Sequence, residues 1–94
     1  MTKAEIIAEI ASKTGIGRVT VKATVEAFMD SIKESLINRD NVYLRGFGSF
    51  IIKKRAEKTG RVISKNTTVI IPAHNIPAFK PAKIFTDEVK TKVK

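Results

Sequence analysis

The sequence predicts an α+β fold: a helix-helix base, a three-stranded antiparallel sheet with a long protruding β-arm, and a C-terminal helix. Three observations carry this prediction. Apolar residues recur at helical spacing as far as Asn38 and at strand spacing after it. Turn-forming residues, Asn38-Arg39-Asp40-Asn41, stand where the period changes. The stretch 53–73, KKRAEKTGRVISKNTTVIIPA, reads as two strands around a turn, and its outgoing strand loses its apolar face at Lys53.

The first helix is expected over residues 3–14. Thr2-Lys3-Ala4-Glu5 has capping-box spacing, Ile6, Ile7, Ile10 and Ala11 form one stripe, and Gly15 stands where a left-handed cap belongs. The second helix is expected over 18–38, with Val21, Val25, Phe28, Met29, Ile32 and Leu36 on one face. Val42-Tyr43-Leu44 is a short strand, and Gly46-Phe47-Gly48 a tight turn. Ser49 to Arg55 and onward, Thr67 to Ala73, and Ile76 to Phe79 complete the strands. Residues 82–92 form a last, modest helix. The 94 residues make one domain: 1–40 a helical dimerisation base, 41–52 and 74–81 the sheet body, 53–73 the arm and 82–94 the C-terminal helix segment.

Charge divides the chain. Residues 1–40 carry six basic and six acidic side chains. Residues 41–94 carry twelve basic ones against Glu57, Asp87 and Glu88, so the whole net charge of +9 lies there. A neutral half joined to a basic half suggests a scaffold and a contact surface for a polyanion. The chain has no cysteine, which excludes disulfides and thiolate metal sites and favours a reducing compartment. It has no apolar run of signal-peptide or membrane-span length. A soluble cytoplasmic protein is expected, with no membrane partner.

Without the arm, roughly 70 residues remain, and a domain that small buries only about 60% of its chain's surface. Phe28, Phe47, Phe50 and Phe79 nevertheless all require burial. A two-fold dimer sharing one core satisfies both conditions better than a self-sufficient monomer.

No catalytic constellation can be assembled. Gly46 and Gly48 form a G-x-G, but no phosphate-binding helix follows, and turn glycines account for them. His74 is the only histidine; with no cysteine or acidic cluster around it, it reads as a loop residue. Glu5 and Glu9 share a helix face as solvated charges. No nucleophile–base pair, metal site or cofactor site emerges, so an enzyme is not expected.

The arm carries the functional signal. Lys53, Lys54, Arg55, Lys58, Arg61 and Lys65 fall within thirteen residues, opposed only by Glu57. A solvated edge hairpin explains the lysines, but not the charge surplus, the length or the apolar Val62 and Ile63 near the turn. Strand residues rise about 3.3 Å each, so ten or so per strand give an arm of roughly 30 Å. A basic ribbon of that length fits a DNA groove and gains affinity by releasing counterions. An RNA-binding protein is the alternative of another class, but Tyr43 is the only tyrosine and tryptophan is absent, so stacking platforms are scarce.

RGFGSF, RAEKTGR and HNIPAFKPAK, in this order on a helix-helix-strand framework, resemble the bacterial histone-like HU and integration host factor family along essentially the whole chain. That family is itself among the architectural proteins known to bind the minor groove. The resemblance implies an intertwined dimer whose two arms embrace duplex DNA in the bacterial nucleoid, bending and compacting it with low sequence specificity. Bent, nicked or otherwise distorted DNA would be favoured. A homodimer is expected, with pairing to a paralogue as the alternative. A sequence-preferring role of the integration-host-factor kind shares the same framework. By position, Arg55, Lys58 and Arg61 would line the arms with Lys53 at their root. Lys3 and Lys83 would touch phosphates on the body, and Phe47, Phe50 and Phe79 would form the shared aromatic core. The family carries an Asn-Pro pair at the arm tip, where this chain has Val62 and Ile63. Ile63 would take the place of the wedging proline.

Overall fold

The computed structural model describes residues 1–62 and 67–93. Helix α1 (Lys3–Thr14) starts behind Thr2, whose Oγ1 accepts the Glu5 N–H at 3.2 Å and donates to the Glu5 carboxylate at 3.2 Å. It stops at Gly15, which takes φ 75° and donates its N–H to the Ala11 carbonyl. Helix α2 (Arg18–Ile37) follows. In the turn after it the left-handed residue is Arg39, φ 63°, rather than an asparagine. Two bonds between Ser35 and Asp40 hold that turn: the Asp40 N–H donates to the Ser35 carbonyl at 2.8 Å, and the Ser35 hydroxyl donates to the Asp40 carbonyl at 2.7 Å.

The strands are β1 (Val42–Leu44), β2 (Gly48–Arg55), β3 (Lys58–Val62), β4 (Thr67–Ile71) and β5 (His74–Pro81), and helix α3 (Lys83–Lys92) ends the fold. β1, β2 and β5 form one antiparallel sheet in the order β1-β2-β5, and β3 and β4 form a separate two-stranded ribbon. The α+β class and the antiparallel sheet are as the sequence predicts. Two details differ. β5 is longer than 76–79, and His74 opens it instead of lying in a loop. The cause is pairing: β2 stays in register with β5 as far as Lys54↔Asn75 and Arg55↔His74, so polar residues are carried into the ladder by their partners. The arm, moreover, is not one continuous ribbon. Its outer ladder begins at Lys58↔Ile71, and Ala56-Glu57 and Pro72-Ala73 separate it from the sheet. Pro72 has no N–H to give to a ladder.

Residues directly opposed across an antiparallel pair share a face. Phe50↔Phe79 and Ile52↔Pro77, with Val42 and Leu44 of β1, therefore make an apolar inner face. Phe79 joins this face to the turn: its ring centroid lies 5.0 Å from Phe50 and 5.1 Å from Phe47. Phe85 of α3 stacks on Phe47 at 5.7 Å, a partner the sequence reading did not include. Within the single chain, Ile7 and Val21 are the buried apolar side chains among the described residues.

Gly46 takes φ 81°, and Gly48 is needed for a different reason. A Cβ at Gly48 would lie 2.6 Å from the Phe79 ring and 2.7 Å from the Lys80 carbonyl oxygen. Gly48→Ala is therefore expected to destabilise the protein by about 1–3 kcal/mol, the usual cost of overpacking. Denaturant unfolding of the variant at fixed protein concentration measures it, and an unchanged midpoint would show that the ring and strand give way freely.

Candidate nucleic-acid interface

The register that makes the inner face apolar makes the outer face basic. Tyr43↔Ser49↔Lys80, Lys53↔Ile76 and Arg55↔His74 are cross-strand rows on that outer side, with Ile51↔Ala78 between them. Tyr43, Lys53, Arg55, His74 and Lys80 are all exposed. Arg45, in the turn after β1, and Lys83, at the start of α3, line a shallow depression together with Tyr43, Ser49 and Lys80.

Little in the fold neutralises these cations. Ion pairs among the described residues join Lys3 to Glu26, Lys13 to Glu9 and Lys92 to Glu88, and none involves Lys53, Lys54, Arg55, Lys80 or Lys83. The start of α3 resembles that of α2, which has Arg18 at its first position, no side-chain cap and no acid in its first turn. Ala82 provides no side-chain cap, Lys83 occupies the first position, and the first turn has no acidic residue. A cation at a helix N-terminus opposes the macrodipole. Free first-turn amides beside a lysine suit an incoming phosphate. α1, by contrast, has both its Thr2 cap and Glu5 in the first turn.

Lys3 lies apart from this surface. Its Nζ donates to Glu26 Oε2 at 3.0 Å, linking the start of α1 to the middle of α2. The hydrogen bond from Lys3, and then its charge, hold the Glu26 carboxyl below the usual carboxylate range; desolvation opposes this and Lys22 adds to it. Both side chains are about half exposed, and such pairs contribute little to stability. Exchanging Glu26 for a phosphate would therefore cost little.

Of the arm residues, Lys53 and Arg55 belong to β2 within the main sheet, and Lys58 opens β3 opposite Ile71. Arg61 and Val62 are β3 positions opposite Thr68 and Thr67. Ile63 and Lys65 lie outside the described residues. Val69 and Ile70 are exposed on β4, at 42% and 67%, so the arm presents apolar as well as basic side chains. Sequence reasoning missed Arg45 and Lys80 because each is an isolated cation in the chain. Once Phe79 is placed inward, strand alternation alone sends Lys80 outward.

Comparison with known proteins decides the family. A family model described as bacterial DNA-binding protein matches residues 1–90. The DNA-binding protein HU of Thermus thermophilus is 40% identical over 90 residues, covering 96% of this chain and 93% of that protein. The chain belongs to the HU family of bacterial DNA-binding proteins. Another HU-family relative, the DNA-binding protein HU of Geobacillus stearothermophilus, is also 40% identical over 90 residues, covering 96% of this chain and all of that protein. Among solved HU structures, the Anabaena protein from an HU–DNA cocrystal superposes with a TM-score of 0.88 at 32% identity, covering 100% of both chains. HU from Thermotoga maritima superposes with a TM-score of 0.67 at 27% identity, covering 95% of this chain and 98% of that one. The HU family is one of DNA-binding proteins rather than of enzymes. No helix among the described residues is long and apolar enough to cross a membrane.

Proposed function

We propose that this HU-family protein acts as an intertwined dimer that binds double-stranded DNA through the minor groove, bends and compacts it with little sequence preference, and works in the bacterial nucleoid. The observation that carries this reading is the segregation of charge by face. Uncompensated cations occupy the outer side of the sheet and the root of the arm, and the apolar rings lie on the other side. The Anabaena neighbour, whose structure is an HU–DNA cocrystal, supports duplex DNA as the polyanion.

Dimerisation is supported by what the single chain leaves uncovered. Phe28 is 47% exposed, Phe47 46% and Phe79 39%, and an open apolar groove runs between Phe79, Pro81, Phe85 and Val89. The chain exposes 8055 Å², whereas a compact monomer of its mass exposes about 5,400 Å². A second copy seated on the ring cluster brings Phe28, Phe47, Phe50 and Phe79 into one core.

Weak specificity follows from the site of readout, because the minor groove mainly distinguishes A·T from G·C. Lys53, Arg55, Lys58, Arg61 and Lys65 neutralise phosphates along the arm, and Lys3 and Lys83 do so on the body. Ile63 is the wedge: it gains nothing on a free arm and is buried beside an opened base step. Unstacking costs a few kcal/mol per step, so DNA that is already bent, nicked or gapped binds better.

A gel shift comparing intact, nicked and gapped DNA with duplex RNA tests the partner. Preference for nicked and gapped DNA is expected, and equal binding of duplex RNA would contradict the reading. Ile63→Ala is expected to lower the yield of small circles in a ligation-circularisation assay more than it lowers DNA affinity, and to weaken the preference for nicked duplex. Ile63→Pro retains both. Circularisation equal to the parent's would show that Ile63 is not a wedge.

A further inference from the structure

The geometry points to His74 as an additional phosphate ligand at the root of the arm, one that takes up a proton when it engages DNA. This rests on the proposed DNA-binding function. His74 is exposed and directly opposite Arg55, on the outer face that also carries Lys53. Its Nδ1 lies 2.9 Å from the carbonyl oxygen of Pro72, the residue at which the arm ribbon separates from the sheet.

That contact fixes the tautomer. A carbonyl oxygen can only accept, so Nδ1 carries the hydrogen. In neutral His74, Nε2 is then a bare acceptor, and it has no hydrogen-bond partner among the described residues. A bare acceptor cannot bind a phosphate oxygen, which is itself only an acceptor. Protonation at Nε2 makes it a charged donor and leaves the Nδ1–H···O bond to Pro72 intact. The ring thus needs no rearrangement: one proton converts His74 from a group that excludes phosphate to one that binds it.

The surroundings favour this change when DNA is present. Arg55 lies across the ladder, Lys53 further along the same face, Lys54 on the opposite face, and Glu57 and Lys58 at the break leading into the arm. Glu57 is the only acid among them. A protonated His74 beside Arg55 is a pair of like charges, which repel when directly opposed. A phosphate oxygen reached by both turns that repulsion into a shared attraction. Because Nε2 reaches a phosphate oxygen only when protonated, the contact depends on pH. It would grade the grip of the arm root by pH and leave the permanent cations in place.

The test is DNA affinity at fixed ionic strength between pH 5.5 and 8.0, for the parent, His74→Gln and His74→Lys. The parent is expected to bind about tenfold more tightly at pH 5.5, with a slope of log K against log[salt] steeper by about 0.9 for each His74 engaged. Calorimetry in buffers of different ionisation enthalpy should record proton uptake on binding. His74→Gln, whose amide donates at every pH, should lose most of the pH dependence. His74→Lys should bind at pH 8.0 as the parent does at pH 5.5. Tight binding by the parent with no pH dependence, or the same dependence in His74→Gln, overturns the role of His74 and leaves DNA binding standing. Absence of DNA binding at low salt at every pH overturns both.

Discussion

Phe47→Ala is expected to cost roughly 3–5 kcal/mol, the range for removing a buried aromatic ring, and to dissociate the dimer as it unfolds it. Phe47 lies in the turn between β1 and β2, its ring centroid 5.1 Å from that of Phe79 and 5.7 Å from that of Phe85. The single chain leaves it 46% exposed, so the full cost is reached only if a second copy buries the rest. Two measurements separate a local from a shared role. In a dimer the midpoint of thermal unfolding rises with protein concentration, and the variant's falls at every concentration. Sedimentation should find the parent dimeric at micromolar concentration. A folded parent monomer under those conditions would contradict the shared core.

The second large effect is on DNA affinity as salt is raised. If each dimer neutralises about eight phosphates, log K falls with log[salt] at a slope near −7, a loss of about 10⁴ between 50 and 200 mM salt. Arg55→Ala should flatten the slope by about 0.9 per arm and weaken binding on most sequences alike. A salt-independent affinity, or a loss confined to one sequence, would count against phosphate-led binding.

The fold was largely legible in the sequence because each element carries its own local signal. Thr2 and Glu5 mark the start of α1, Gly15 its end, and Gly46-Phe47-Gly48 the first hairpin. Features set by pairing at a distance were less visible. β5 extends to His74 only because Arg55 lies opposite it, and Ala56-Glu57 gives little sign that the arm ladder is interrupted. The same distinction holds for the site. Lys53 to Arg55 announce themselves as a run of charge. Arg45, Lys80 and Lys83 are scattered in sequence, and only the turn and the register bring them to one depression. The engagement of Lys3 by Glu26 spans two helices and has no local signature. Phe85 is a single ring on a charged helix, so its stacking on Phe47 was equally hidden.

The shape of bound DNA tests the central claim most directly. End-to-end fluorescence transfer on a short duplex labelled at both ends, at saturating protein, reports that shape. Transfer should rise on binding, as the ends of a bent duplex approach each other, and Ile63→Ala should give a smaller rise at equal saturation. A duplex that stays straight while fully bound would mean that the protein coats DNA without bending it.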